Sequence, residues 1–150
     1  MCFLMLLVCV VAIANGPAGG VYFYEKEVQD RVVELGLSTK EKIKRDYAVA
    51  GACLFVPLLF FVPVMVYFIN GARGFRDSFI QILIIFLIDG FFDRIYIDWF
   101  WVGKTKAWII PGTEDLMPYI SKKTLIRKWV GTIVVFPILA AILAGILSLL

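Results

Sequence analysis

Four charged residues and a tyrosine crowd the end of one apolar run: Asp89, Asp93, Arg94, Tyr96 and Asp98. Carboxylates so placed could carry protons, hold a cation or pair with arginine. At about 100° per residue, an α-helix puts Asp89, Asp93 and Tyr96 on one face, with Ser78 further along it. Arg94 and Asp98 fall on a different, roughly opposite face. They lie four apart, within reach of a salt bridge. Asp89 and Asp93 are like charges one turn apart. Away from water, at least one of them must bind a proton or share a cation. Such a pair titrates as a unit.

Three chemistries compete for this cluster. The first is a structural polar network, with the aspartates pairing with Arg94, pairing with the basic links or capping broken helices. The second is an ion or proton path through an oligomer. The third is catalysis on a lipid or lipid-linked substrate. There, Asp93 and Asp98 would hold a divalent cation, with Lys104 and Lys106 as anion contacts. The spacing matches no known acidic metal motif closely, so the pattern assigns no catalytic residue and leaves the metal unknown. No cofactor is expected.

These residues must be positioned by membrane-crossing elements. The chain has 150 residues, 61% hydrophobic and 18% charged. Soluble domains hold about 45–50% apolar and about 25% charged residues. The excess falls in four segments, about 3–24, 47–69, 78–102 and 129–150. Roughly 20 apolar residues suffice to cross about 30 Å of hydrocarbon. The expected fold is an all-α, four-span membrane bundle in a single domain, with an amphipathic interfacial helix between spans one and two. Asp89 falls near the middle of span three, where a charge costs at least about 2.5–3.5 kcal/mol. An alternative register ends that helix near Ile88, turns at Asp89-Gly90 and leaves Asp93 to Asp98 in the interface.

Local signals refine the segments. Pro17, with Asn15, Gly16, Gly19 and Gly20, kinks or breaks the first. Ala12-Ile13-Ala14 has the spacing of a signal-peptide cleavage site, but no basic start precedes it, so a retained span is expected. Ala12, Gly16 and Gly20 form a small-residue ladder for close helix packing. So do Ala140, Ala144 and Ser148, and, beside them, Ala141 and Gly145. Val28, Val32 and Leu35 make one stripe of an amphipathic helix that Gly36 stops. Ser38 with Glu41 is a capping-box signature. The helix starting there should run unbroken into span two, bent by Pro57 and Pro63. Thr113 with Glu114 and Asp115 reads as a helix cap.

Charge sets the orientation. The polar links 25–46 and 104–128 each carry six Lys or Arg, the turn at Arg73 and Arg76 two, and the ends none. Basic links stay in the cytoplasm, which places both termini outside. These clusters adjoin spans, so the partner they imply is the lipid bilayer, not nucleic acid. The surplus of small-residue faces predicts a homo-oligomer or a membrane-complex partner. There is no histidine, which removes the commonest metal ligand and general base. Cys2, Cys9 and Cys53 form no CxxC pair and read as apolar filler.

The strings Ile97-Asp98-Trp99, Thr105-Lys106 and Ile110-Pro111-Gly112-Thr113-Glu114-Asp115 resemble a family of small bacterial integral membrane proteins without assigned function. The resemblance covers about a fifth of the chain. It implies a polytopic protein in a bacterial plasma membrane, and no mechanism.

Overall fold

A computed structural model describes all 150 residues. The chain is all-helical in its regular structure, with no strand. Helix α1 is Cys2–Ile13, a 12-residue apolar helix. At about 1.5 Å per residue it reaches only about 18 Å. It ends at the break set by Gly16, whose φ of 107° favours glycine, and by Pro17 at the start of the tighter 3₁₀ stretch Pro17–Phe23. The expected first segment, 3–24, is therefore a half-length helix followed by a turn. Gly19 returns against the carbonyl of Ala12, so close that a Cβ would lie 2.1 Å from that oxygen. The close approach is made at Gly19 and Gly20, while nothing crowds Gly16.

Helix α2, Lys26–Glu34, buries Val28 and Val32 and leaves its charged face open. Gly36, at φ 70°, follows its end. Helix α3 runs Lys40–Ile69 without interruption. Its cap is Thr39 and not Ser38: the Thr39 hydroxyl accepts from the Lys42 N–H at 3.2 Å. Thr39 holds the extended backbone a cap needs, which starts the helix one residue late for the Ser38–Glu41 box. Pro57 opens one stretch of wider, π-helical turns at Pro57–Phe61, and another spans Met65–Ile69.

A short turn leads into α4, Gly74–Phe92, which continues as a ten-residue π-helical stretch, Asp93–Val102. There is no turn at Asp89-Gly90. The turn before α4 is pinned by Arg73, which donates to the Tyr67 carbonyl at 2.7 Å and lies over the Tyr67 ring. Helix α5, Lys122–Leu147, is capped by Ser121, which accepts from the Thr124 N–H. By length and composition two helices, α3 and α5, are apolar enough to cross a membrane. The α4 stretch is as long, but it carries Asp89, Asp93, Arg94 and Asp98.

The tightest packing joins α4 to α5. Ser78, Ile82, Phe86 and Gly90 are buried on one side, Thr132, Ala140 and Ala144 on the other. A Cβ on Gly90 would come within 2.6 Å of the Thr132 methyl. Ala140 and Ala144 thus form a real packing face, while Ser148 is exposed and Gly145 meets open space. Of the two adjacent ladders, one is used.

Two apolar cores result. One surrounds Leu58, Val66, Phe86 and Leu147 near the α3–α4 turn. The other gathers Cys9, Val32, Ile43, Ile97, Trp108 and Tyr119 at the basic end. Only 31 of 150 residues are buried. The remaining apolar side chains therefore cover the outside, as along Ile80, Ile84, Ile88, Phe91 and Ile95 on α4.

Candidate functional site: a charge network below a basic cleft

The π-helical stretch after Phe92 decides the geometry of the charged cluster. In an α-helix, residues five apart point well away from each other. A turn closed by i→i+5 bonding brings them to one side. Asp93 and Asp98 therefore share a side, and Arg94 reaches both. Its guanidinium pairs with the Asp93 carboxylate and lies 3.4 Å from Asp98. Lys128, at the foot of α5, completes the set with contacts of 2.8 and 2.9 Å to the two oxygens of Asp98. The Asp98 side chain is 4% exposed, so its charge is met inside the protein.

Asp89 stands apart from this network. It is buried beside the Cys2 thiol of α1, and one of its oxygens has no hydrogen-bond partner. Tyr96 faces outward, stacked on Phe92. Tyr96 leaves the anticipated stripe of Asp89, Asp93 and Tyr96, because the helix is α-helical from Asp89 to Asp93 and widens only from Asp93 onward. The Arg94–Asp98 contact does form, but Asp98 is held more closely by Lys128. Lys104 sits over the Trp99 ring, and Lys106 is exposed on a short 3₁₀ turn. No cluster of three or more His, Cys, Asp or Glu side chains has a metal-holding arrangement.

The link between α4 and α5 folds as a compact cap over the basic end. Trp108 is buried against Phe23, Tyr24 and Trp101. The Ile110 N–H donates to the Tyr119 hydroxyl at 2.9 Å, and the Thr113 hydroxyl donates to the Ile110 carbonyl at 2.9 Å. Thr113 is therefore a buried pin and makes no helix cap with its side chain. Its hydroxyl is taken by Ile110 and Tyr119, and only the short turn Glu114–Leu116 follows. Asp115 pairs with Arg31 of α2 at 3.4 Å.

Beside this cap lies an open cleft of about 730 Å³. Lys26, Lys40, Lys44, Arg127 and Lys128 line it, with Tyr22, Tyr24, Tyr47 and Tyr119. The acids at its edge are Glu25 and Asp30. Glu25 is already engaged: it accepts from the Ser121 N–H at 3.1 Å and the Thr124 hydroxyl at 2.8 Å. Those bonds from Ser121 and Thr124 hold its carboxyl below the usual carboxylate range. Lys128 belongs to both the cleft and the network beneath it. A small cavity of about 100 Å³, lined by Cys9, Asp93, Asp98 and Lys128 among others, lies behind it.

Sequence spacing could not reveal that Lys26, Lys40, Lys44 and Arg127 converge, since they come from three helices. Their only advance signal was the clustering of basic residues in the two links. No protein-family model, curated protein or solved structure matches the chain.

Proposed function

We propose that this is an integral membrane protein whose basic cleft binds the phosphate-bearing headgroup of an anionic lipid in the cytoplasmic leaflet. One observation carries the reading: five cations converge on a tyrosine-lined cleft at the foot of apolar helices. Apolar patches larger than a few hundred Å² are rare on soluble monomers, and here they run along three helices. A bilayer accounts for them. In it, α3, α4 and α5 cross, α1 dips in from the cytoplasmic side as a half-length fourth segment, and α2 lies along the interface. The Lys and Arg of both links then face the cytoplasm. Anionic lipid there attracts basic residues by about 1 kcal/mol each.

On this reading Asp93 and Asp98 are counter-ions. Asp93 and Asp98 each meet a cation, so the pair of like charges that would share a metal ion is already neutralised. The protein then acts as a lipid-engaging component of the membrane, alone or beside a partner. The test is lipid selectivity: the full chain, purified in detergent and offered mixed lipids, should retain phosphatidic acid over phosphatidylcholine in native mass spectrometry. Equal retention of the two lipids contradicts the reading.

A second reading attaches to Asp89, the buried carboxyl with an unpartnered oxygen. Such a group suits a proton carrier. Proteoliposomes should then show a proton flux that Asp89→Asn abolishes; no flux from the unaltered chain counts against this role.

A further inference from the structure

A second concavity opens on the outer face between α1 and α3. It encloses about 440 Å³, within the roughly 300–1,000 Å³ range of small-molecule sites. Its walls are apolar: Leu4, Leu7, Val8 and Val11 from α1, Val49 and Cys53 from α3. Small residues, Ala12, Gly19 and Ala50, form its floor. Its rims stand open, with Leu7 48%, Val11 64% and Val49 57% exposed.

The groove is polar at one end only. Lys42 and Asp46 lie there, and Asp46 is matched by Arg45 at 3.0 Å. That leaves the Lys42 ammonium as the free charge of its mouth. At the same end Tyr22 lines both this groove and the basic cleft. A cationic chamber thus adjoins an apolar channel, with the buried Tyr22 as their shared wall. That is the outline of an amphiphile: an anionic head and an apolar tail. The half-length of α1 contributes, because its turn at Gly16 lets Gly19 and Tyr22 fold back to where the two spaces meet.

We infer that the α1–α3 groove receives an acyl chain of the same anionic lipid whose headgroup occupies the basic cleft, with Tyr22 at the junction. This rests on the lipid-binding reading above and extends it from a headgroup contact to a whole-lipid site. A second copy of the chain fits less well. A dimer face built on Leu7, Val11 and Val49 would leave the adjoining cations without counter-charge.

The test uses the full chain reconstituted in bilayers that contain a lipid with a photoactivatable group midway along one acyl chain. Two probes are compared, phosphatidic acid and phosphatidylcholine, and the attachment sites are mapped by mass spectrometry. Phosphatidic acid should label residues 4–12 and 49–53 in preference to the outward residues Ile133, Ile138 and Ile142. Its labelling of the groove should exceed that of phosphatidylcholine by at least about fivefold, the usual effect of one basic residue at an anionic surface. Val49→Trp and Val11→Trp place bulk at exposed positions on the rim and should each reduce groove labelling while Ile138 labels as before. Even labelling of all outward residues overturns the inference. So do equal groove labelling by both probes and a photocrosslinked dimer joined through Val11. Loss of the chain from membranes on alkaline carbonate washing would instead remove the membrane reading itself. Retention of phosphatidic acid with no groove labelling would remove only the acyl-chain site.

Discussion

Asp98 is the residue on which the interior charge network turns. It is nearly sealed from solvent, and it meets Lys128 and Arg94 together. Removing one partner of a buried pair leaves the other uncompensated, at a cost of about 3–5 kcal/mol. Asp98→Ala should therefore lower the unfolding free energy in detergent by about that amount. Asp98→Ala/Lys128→Met should recover part of the loss, because it removes the stranded ammonium as well. A double variant no more stable than the single one would show that Lys128 is not the decisive partner. Glu25 makes a different prediction. Its carboxyl is held low by bonds from Ser121 and Thr124, which tie the start of α2 to the start of α5. A lowered folded-state value means that its stabilisation is complete above the unfolded-state value and fades as pH falls through the folded one. In acid, the protection factor of the Ser121 amide should fall, and in Glu25→Gln it should be low at every pH. Arg94–Asp98 was legible in the sequence because both residues lie on one helix four apart. Asp98–Lys128 was not, because it joins two elements whose relative placement no local pattern encodes. Tyr96 falls outside the expected stripe with Asp89 and Asp93 for one cause: a 3.6-residue period was applied across Asp93–Val102, whose turns are wider.

At the scale of elements, small residues matter only where two helices meet. Gly90 lies under Thr132 and Phe136, with no room for a methyl group. Gly145 faces open space, although its spacing from Ala141 mimics a packing motif. Gly90→Ala should destabilise the α4–α5 pair by about 1–3 kcal/mol, the usual cost of overpacking. Gly145→Ala should be neutral or slightly stabilising, since alanine is the better helix former. Thermal unfolding of both variants checks the contrast, and equal effects would contradict a close α4–α5 contact at Gly90. Val28 and Val32 of the α2 stripe, the break at Pro17 and the unbroken α3 were readable, because each depends on local periodicity or on one backbone donor, while Leu35, expected on the same stripe, ends the helix and is exposed. The cap formed by residues 104–121 was not. Its order comes from Trp108 and Tyr119 meeting Phe23 and Tyr24 far along the chain, with Thr113 pinned to Ile110 and Tyr119, and the Thr113-Glu114-Asp115 pattern imitates a helix start.

The whole molecule divides its surface by chemistry. Apolar side chains cover the sides of α3, α4 and α5, while Lys and Arg gather at one end. Both features are sums over long stretches, which is why composition and charge distribution foretold them. The number of full-length apolar helices was less legible. A half-length α1 and a charge-bearing α4 have nearly the hydropathy of complete spans. What makes the basic end specific is convergence: Lys40 and Lys44 from α3 face Arg127 and Lys128 from α5 across one cleft, and Lys128 also braces Asp98. On the proposed reading, an anionic group in the cleft would compete with Asp98 for that ammonium and so link the cleft to the network below it.

The most direct measurement is the affinity of the full chain for phosphatidic acid, with and without Lys40→Gln/Lys44→Gln/Arg127→Gln. These three cations are exposed and lie outside the ion pairs that hold the fold. At about fivefold per cation the triple variant should bind roughly a hundredfold more weakly, with its thermal stability unchanged. Unchanged affinity in the folded triple variant would contradict the account.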